Sequence, residues 1–142
     1  MKFPFFNRLQ LKKIVAPAAT DSGRRAEQML ERIMQELPEL LLAYLVDTQS
    51  GAVLAFYTVS NAYNPHQLSL RNTKLLRSMQ EAVATKAWVG GPLTDVSVTL
   101  EDQIHHLRPL AGADGNWYCF VAARLADSNM GLVKEVVRRC TS

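Results

Sequence analysis

The side chains that could do chemistry in this chain are few and scattered. His105 and His106 are adjacent, His66 stands alone, Cys119 and Cys140 are the two thiols, and Ser22, Ser60, Ser69 and Ser128 are candidate hydroxyl nucleophiles. A metal site needs converging ligands, but neighbouring residues of a strand point to opposite faces, so the histidine pair cannot hold one ion from one chain. His66, just after the helix-opening Pro65, reads as a surface or capping residue rather than a base. The cysteines have no CxxC or paired framework and lie in apolar patterns, where a thiol acts as a small hydrophobe. No serine sits in a nucleophile elbow. GxxxxGK[ST] is absent, and Gly90-Gly91-Pro92 reads as a turn rather than a phosphate cradle. Arg71, Arg77, Arg108 and Arg124 are candidates for an arginine finger, yet arginines on a helix face or strand end are ordinarily solvated. This inventory predicts no catalytic residue, no cofactor and no metal, and hence no enzyme.

The surrounding pattern is that of a packed fold. In Trp117-Tyr-Cys-Phe-Val-Ala-Ala-Arg124, residues Trp117, Cys119, Val121 and Ala123 share one face of an extended chain and Tyr118, Phe120 and Ala122 the other, so both faces need cover and the strand belongs mid-sheet. Upstream, Asp21 or Ser22 can cap a helix whose Ala26, Met29, Leu30, Ile33, Met34 and Leu37 recur at helical spacing until Pro38. Leu40 to Val46, a turn at Asp47–Gly51, and Ala52 to Val59 read as a hairpin. Asn64-Pro65 opens a second helix with a stripe of Leu68, Asn72, Leu75, Leu76, Met79 and Val83, opposite Leu70, Lys74, Arg77 and Glu81, where Arg77 and Glu81 can pair. Thr94 to Leu100 alternates as a half-buried strand, Gln103 to Leu110 forms the next arm with Ile104, His106 and Arg108 facing away from His105 and Leu107, and 111–116 is a polar loop. Asp127, Ser128 or Asn129 caps a last helix striped with Leu132, Val133, Val136, Val137 and Cys140.

A chain of 142 residues that is 48% hydrophobic supports one compact domain. The thiols lack a disulfide pattern, which predicts a reduced, cytoplasmic setting, and no apolar run reaches membrane-span length. The net charge of +3 conceals a basic leader: Lys2, Arg8, Lys12, Lys13, Arg24 and Arg25 outweigh Asp21, so residues 1–25 carry +5 and the remainder −2. Residues 1–20 are read as a flexible leader, and 21–142 as the domain. With Phe3, Phe5, Phe6, Leu9, Leu11, Ile14 and Val15 interleaved, the leader suits an anionic membrane surface or an acidic partner; the alternative is a disordered segment that keeps the protein soluble. The slightly acidic body, without a basic patch and stacking aromatics, predicts no nucleic-acid binding.

The element order, the strand-turn-strand Leu41-Leu-Ala-Tyr-Leu-Val-Asp-Thr-Gln-Ser-Gly-Ala-Val-Leu-Ala55, the arm Ile104 to Leu110 ending in Arg-Pro-Leu, and Asn129-Met-Gly-Leu132 opening the last helix together resemble the Roadblock family of dynein light chains and small-GTPase regulators, over about residues 22–140. Met130 stands where the family commonly has leucine, a volume-conserving change. The resemblance implies an α/β (α+β), profilin-like Roadblock sandwich: helix-strand-strand-helix-strand-strand-strand-helix around one five-stranded antiparallel sheet.

It also implies a binding platform. Members dimerise by joining sheet edges and packing their second helices, and the dimer holds a Ras-like GTPase or another partner; activation by the bacterial polarity regulators is understood as rearrangement of the GTPase rather than an inserted residue. Carried onto this chain, the edge strand would be 94–100 and the helix 65–87, with Arg71, Lys74, Arg77, Glu81, Asp95, Ser97 and Thr99 as the candidate dimer or partner interface. The strand itself supports pairing, because it lacks the lysines and proline that guard an exposed edge; a loop at 112–116 covering it within one monomer is the alternative. The expected function is a homodimeric, non-catalytic regulator or scaffold for a small Ras-like GTPase. A nucleotide-independent scaffold, placed at membrane by its leader, and a small-molecule sensor with a roomy apolar pocket remain the competing readings.

Overall fold

The computed structural model describes residues 14–37, 39–84, 91–112, 115–127 and 129–142. Among the described residues, the elements follow in the order expected: α1 (Asp21–Glu36), β1 (Leu40–Asp47), β2 (Val53–Thr58), α2 (Pro65–Ala84), β3 (Val96–Thr99), β4 (Gln103–Gly112), β5 (Gly115–Arg124) and α3 (Met130–Cys140), with a 3-10 turn at Leu125–Asp127. The strands form one five-stranded sheet in the order β2-β1-β5-β4-β3, every neighbouring pair antiparallel.

The two-faced pattern of β5 decides the layering. Trp117, Cys119, Val121 and Ala123 join Ala26, Leu30 and Ile33 of α1 and Val133, Val136, Val137 and Cys140 of α3 in one core. Tyr118, Phe120 and Ala122 join Tyr44, Leu107 and Leu76 of α2 in the other. The sheet is thus the middle layer, and α2 packs over β1 and β2 rather than over β4 and β3. Burying each large side chain stabilises by about 1.5–3 kcal/mol, so the strand filled on both faces anchors both layers.

Several boundaries differ from the sequence reading for local reasons. The cap of α1 is Thr20, whose Oγ1 accepts from the Gly23 amide at 3.0 Å, rather than Asp21 or Ser22. Gly23 is required there, because a Cβ would lie 2.7 Å from the Ala18 carbonyl oxygen. Residues 14–20, grouped by sequence with the leader, are tied to the body: Val15 and Phe56 exchange both backbone hydrogen bonds, at 2.9 and 2.8 Å, and Ile14 and Ala16 pack on the α1–α3 core. The leader of 1–20 therefore overlaps the fold by at least these residues, while 1–13 lie outside those described. The hairpin turns at Gly51, whose φ of 77° suits glycine, while the Asp47 carboxylate accepts from the Gln49 amide at 2.9 Å.

Strand β3 is only four residues, shorter than 94–100, and Val96 alone is half-buried. The β4–β5 ladder continues through Ala111↔Asn116 to Gly112↔Gly115, at the end of β4 away from β3, while residues 113–114 of the expected loop lie outside those described. Helix α2 is described to Ala84, and the expected continuation to 87 falls outside the described residues. Asn64 caps α2 by accepting from the amides of His66 and Gln67, and Asn129 caps α3 by accepting from Leu132 at 2.9 Å.

Candidate functional site

Because α2 sits over β1 and β2, the same face of β4 and β3 is left without a helix. Arg71, Asn72 and Leu75 of α2, Val96 and Val98 of β3, Leu100 just after it, His105 and Leu107 of β4, and Phe120 of β5 line a groove of about 400 Å³ there. Its floor is apolar and its rim is open: Leu75 and Val98 are each 37% exposed and Leu100 is 42% exposed, with Met79 one turn beyond Leu75 at 38%. Helical spacing placed Leu75 and Met79 in a buried stripe; the helix buries Pro65, Ser69, Asn72 and Leu76 instead. Strand β3 ends the sheet, so its outer backbone groups face away from the ladder.

A polar network beneath the groove fixes the helix on the sheet. The Asn72 amide donates to the Tyr44 hydroxyl at 2.7 Å, and the Tyr118 hydroxyl donates to the Ser69 carbonyl at 3.0 Å while lying 2.9 Å from Thr73 Oγ1. Burial pushes both phenols above their ordinary value, so they stay neutral hydrogen-bonding groups. Asn72, which the pattern assigned to an apolar stripe, is therefore the buried tether of α2. Its Oδ1 also receives Nε and Nη2 of Arg71 at 3.2 and 3.0 Å, which holds that guanidinium at the groove's rim.

On the opposite face of the same edge, a second cluster brings together residues far apart in sequence. Ser97 stands opposite His106 in the β3–β4 register, and its Oγ lies 2.7 Å from His106 Nδ1. Asp95 Oδ2 lies 4.0 Å from His106 Nε2, and its Oδ1 lies 3.9 Å from Lys134 Nζ of α3. His106 is fully buried, and Nε2 has no hydrogen-bond partner. Burial holds its imidazole below the ordinary value, Asp95 pulls it up, and Lys134 and Arg108 push it down. Serine, histidine and aspartate in line have the residue types of an acyl-transfer triad. At 4.0 Å, however, the carboxylate is too far to hydrogen-bond and orient the ring, and the serine sits on an edge strand rather than a nucleophile elbow.

The histidine pair separates as strand alternation requires. His105 lies on the groove side, edge-on to Phe120 with ring centroids 5.2 Å apart and Nε2 2.8 Å from Gln103 Oε1. Among the described residues, no group of three or more His, Cys, Asp or Glu could hold a metal ion. Burial pushes the Cys119 thiol up to about 12, so it is not a thiolate at neutral pH.

The seven candidate interface residues do not form one patch. Arg71 lines the groove; Lys74, Arg77 and Glu81 are exposed on α2. Arg77 donates through Nη2 to the Thr48 carbonyl at 3.0 Å rather than pairing with Glu81 among the described residues. Asp95 and Ser97 turn inward to His106, and Thr99 is exposed on the edge strand. The sequence reading missed Leu75, Val98 and Leu100 as open surface, because periodicity marks which residues are apolar and not what covers them. It also missed the Asp95–Ser97–His106 cluster, although the alternation of Asp95, Ser97 and Thr99 in one strand and of Ile104, His106 and Arg108 in the next was its visible signal.

No protein-family model and no curated relative matches the chain. Solved structures do match. Myxococcus xanthus MglB superposes with a TM-score of 0.72 at 10% identity, covering 87% of each chain. A structure described as MglB with tetrameric arrangement gives 0.70 at 18%, covering 89% of this chain and 90% of that one. A Roadblock/LC7 domain from Streptomyces avermitilis gives 0.62 at 16%, covering 86% and 92%. With the element order, the central antiparallel sheet and the helices on its two faces, these likenesses show that the chain has the Roadblock/LC7 fold.

Proposed function

We propose that the chain is a dimeric, non-catalytic platform that binds a small Ras-like GTPase and alters its nucleotide cycle or its location. The observation that carries this reading is the open β3 edge beside an apolar groove that α2 leaves uncovered. A second copy fits both: antiparallel β3–β3 pairing occupies the free backbone groups, and Leu75 and Met79 of each α2 cover the other's groove. A solved MglB in a tetrameric arrangement supports self-association on this fold. The outer surface of the two helices, with Lys74, Arg77 and Glu81, then becomes the face for the GTPase.

A nucleotide-independent scaffold is the second reading, and the entry of the chain favours keeping it. Val15 bridges β2, the sheet edge opposite β3, so the chain meets the fold there on the side away from the proposed dimer contact. Affinity capture on the full chain, run with a GTP analogue and with GDP, separates the two. Recovery of a Ras-like GTPase in the GTP-analogue arm alone supports the regulator; the same non-GTPase proteins in both arms shift the reading to the scaffold.

A further inference from the structure

We propose that His106 makes the seating of the β3 edge sensitive to pH, so that mild acid weakens pairing of two copies through that edge. The inference rests on the dimer reading above and adds its regulation. Strand β3 is four residues long, and its inward polar ties run through one locus. Ser97 Oγ meets His106 Nδ1 at 2.7 Å, and Asp95, just before the strand, reaches toward His106 Nε2 at 4.0 Å and toward Lys134 of α3 at 3.9 Å. The groups facing this ring are thus Asp95 and Ser97 from the edge, Arg108 from β4 and Lys134 from α3.

With the ring neutral, the carboxylate nearby favours the proton on Nε2, so Nδ1 accepts from the Ser97 hydroxyl. Asp95 remains committed to Lys134. A second proton forces Nδ1 to donate, which turns the Ser97 hydroxyl into an acceptor and its own proton outward. It also sets a buried imidazolium beside Lys134 and Arg108, with the facing Asp95 oxygen 4.0 Å from Nε2, beyond hydrogen-bond distance, and its other oxygen turned toward Lys134 at 3.9 Å. An added buried charge without its own partner is costly, and the shortest, outermost strand is the element with least else holding it.

The direction follows from linkage. A base held below its ordinary value in the fold takes up its proton more readily when released, so the neutral ring's contribution is complete above the ordinary value of 6.5 and is lost as pH falls below it. Pairing of two copies is then expected to be at full strength near about pH 7.5 and to weaken progressively as pH falls below the ordinary value.

The test is sedimentation equilibrium of the full chain across that range, for wild type, His106→Gln and Lys134→Met. Glutamine can still bridge Ser97 and Asp95 but does not titrate, and methionine frees Asp95 for the imidazolium. Wild type that weakens in acid while both variants stay flat supports the inference. A wild type indifferent to pH, or variants with the wild-type profile, overturns it; Lys134 is exposed, so its variant remains informative if His106→Gln does not fold. A chain monomeric throughout sinks the dimer reading alone, and the switch is then read from amide hydrogen exchange: protection at Val96–Thr99, taken relative to the intrinsic exchange rate at each pH, that falls in acid in wild type but not in the variants supports it, and unchanged protection overturns it.

Discussion

The centre of the sheet and its β3 edge are built to different standards. At β1 and β5, nearly every side chain is buried, with helices α1 and α3 on one face and α2 on the other. At β3, two strands away from β5, three of four residues are exposed and the α2-side face carries open valine and leucine. The contrast arises because α2 packs over β1 and β2, tied to β1 by the Asn72–Tyr44 hydrogen bond and to β5 by Tyr118–Ser69, and does not reach across β4 and β3 to close the groove. A sheet filled at its centre and open at one edge is stable as a unit while offering an apolar edge, the place to which the proposed association and its control are assigned.

Breaking the filled centre should have the largest effect. Phe120 packs against Tyr44 with ring centroids 5.1 Å apart and is 1% exposed, so Phe120→Ala should cost about 3–5 kcal/mol, read as a lower denaturant midpoint. At the open edge, Leu75→Asp should abolish self-association in sedimentation while shifting the midpoint by less than about 1 kcal/mol, since the side chain already meets water. A protein that unfolds on this change instead would mean that the groove belongs to the core.

Smaller changes sharpen the contrast. Asn129→Ala removes the acceptor for the Leu132 amide and should cost about 1 kcal/mol of stability, with association unaltered. Lys74→Glu, on the exposed face of α2, should move the midpoint by less than about 0.5 kcal/mol yet weaken partner capture. Lys74 is the better probe than Arg77, whose tie to the Thr48 carbonyl mixes a structural effect into any charge change. Unaltered capture by the Lys74 variant would discard that face.

Much of the fold was legible because local rules and burial agree. The alternation of 117–123 foretold a strand covered on both sides, and the stripes of α1 and α3 foretold their buried faces; both follow from the period of the backbone alone. The cap at Thr20 was misplaced by one or two positions because several adjacent hydroxyl and carboxylate residues could each accept from the first turn. Asn72 was read simply as a member of the α2 stripe, since nothing near it in sequence announces the Tyr44 hydroxyl 28 residues away.

The chain's own pattern thus determined the order of elements, which faces are apolar, the cap at Asn129, the turn at Gly51 and the separation of His105 from His106, all consequences of short-range geometry. Tertiary structure alone decided that Leu75 and Met79 face an open groove, that residues 14–20 join the body, and that Asp95, Ser97, His106 and Lys134 meet. Those facts depend on where α2 and α3 settle across the sheet, and that position is set by the packing of whole layers rather than by the spacing of residues along one strand or helix.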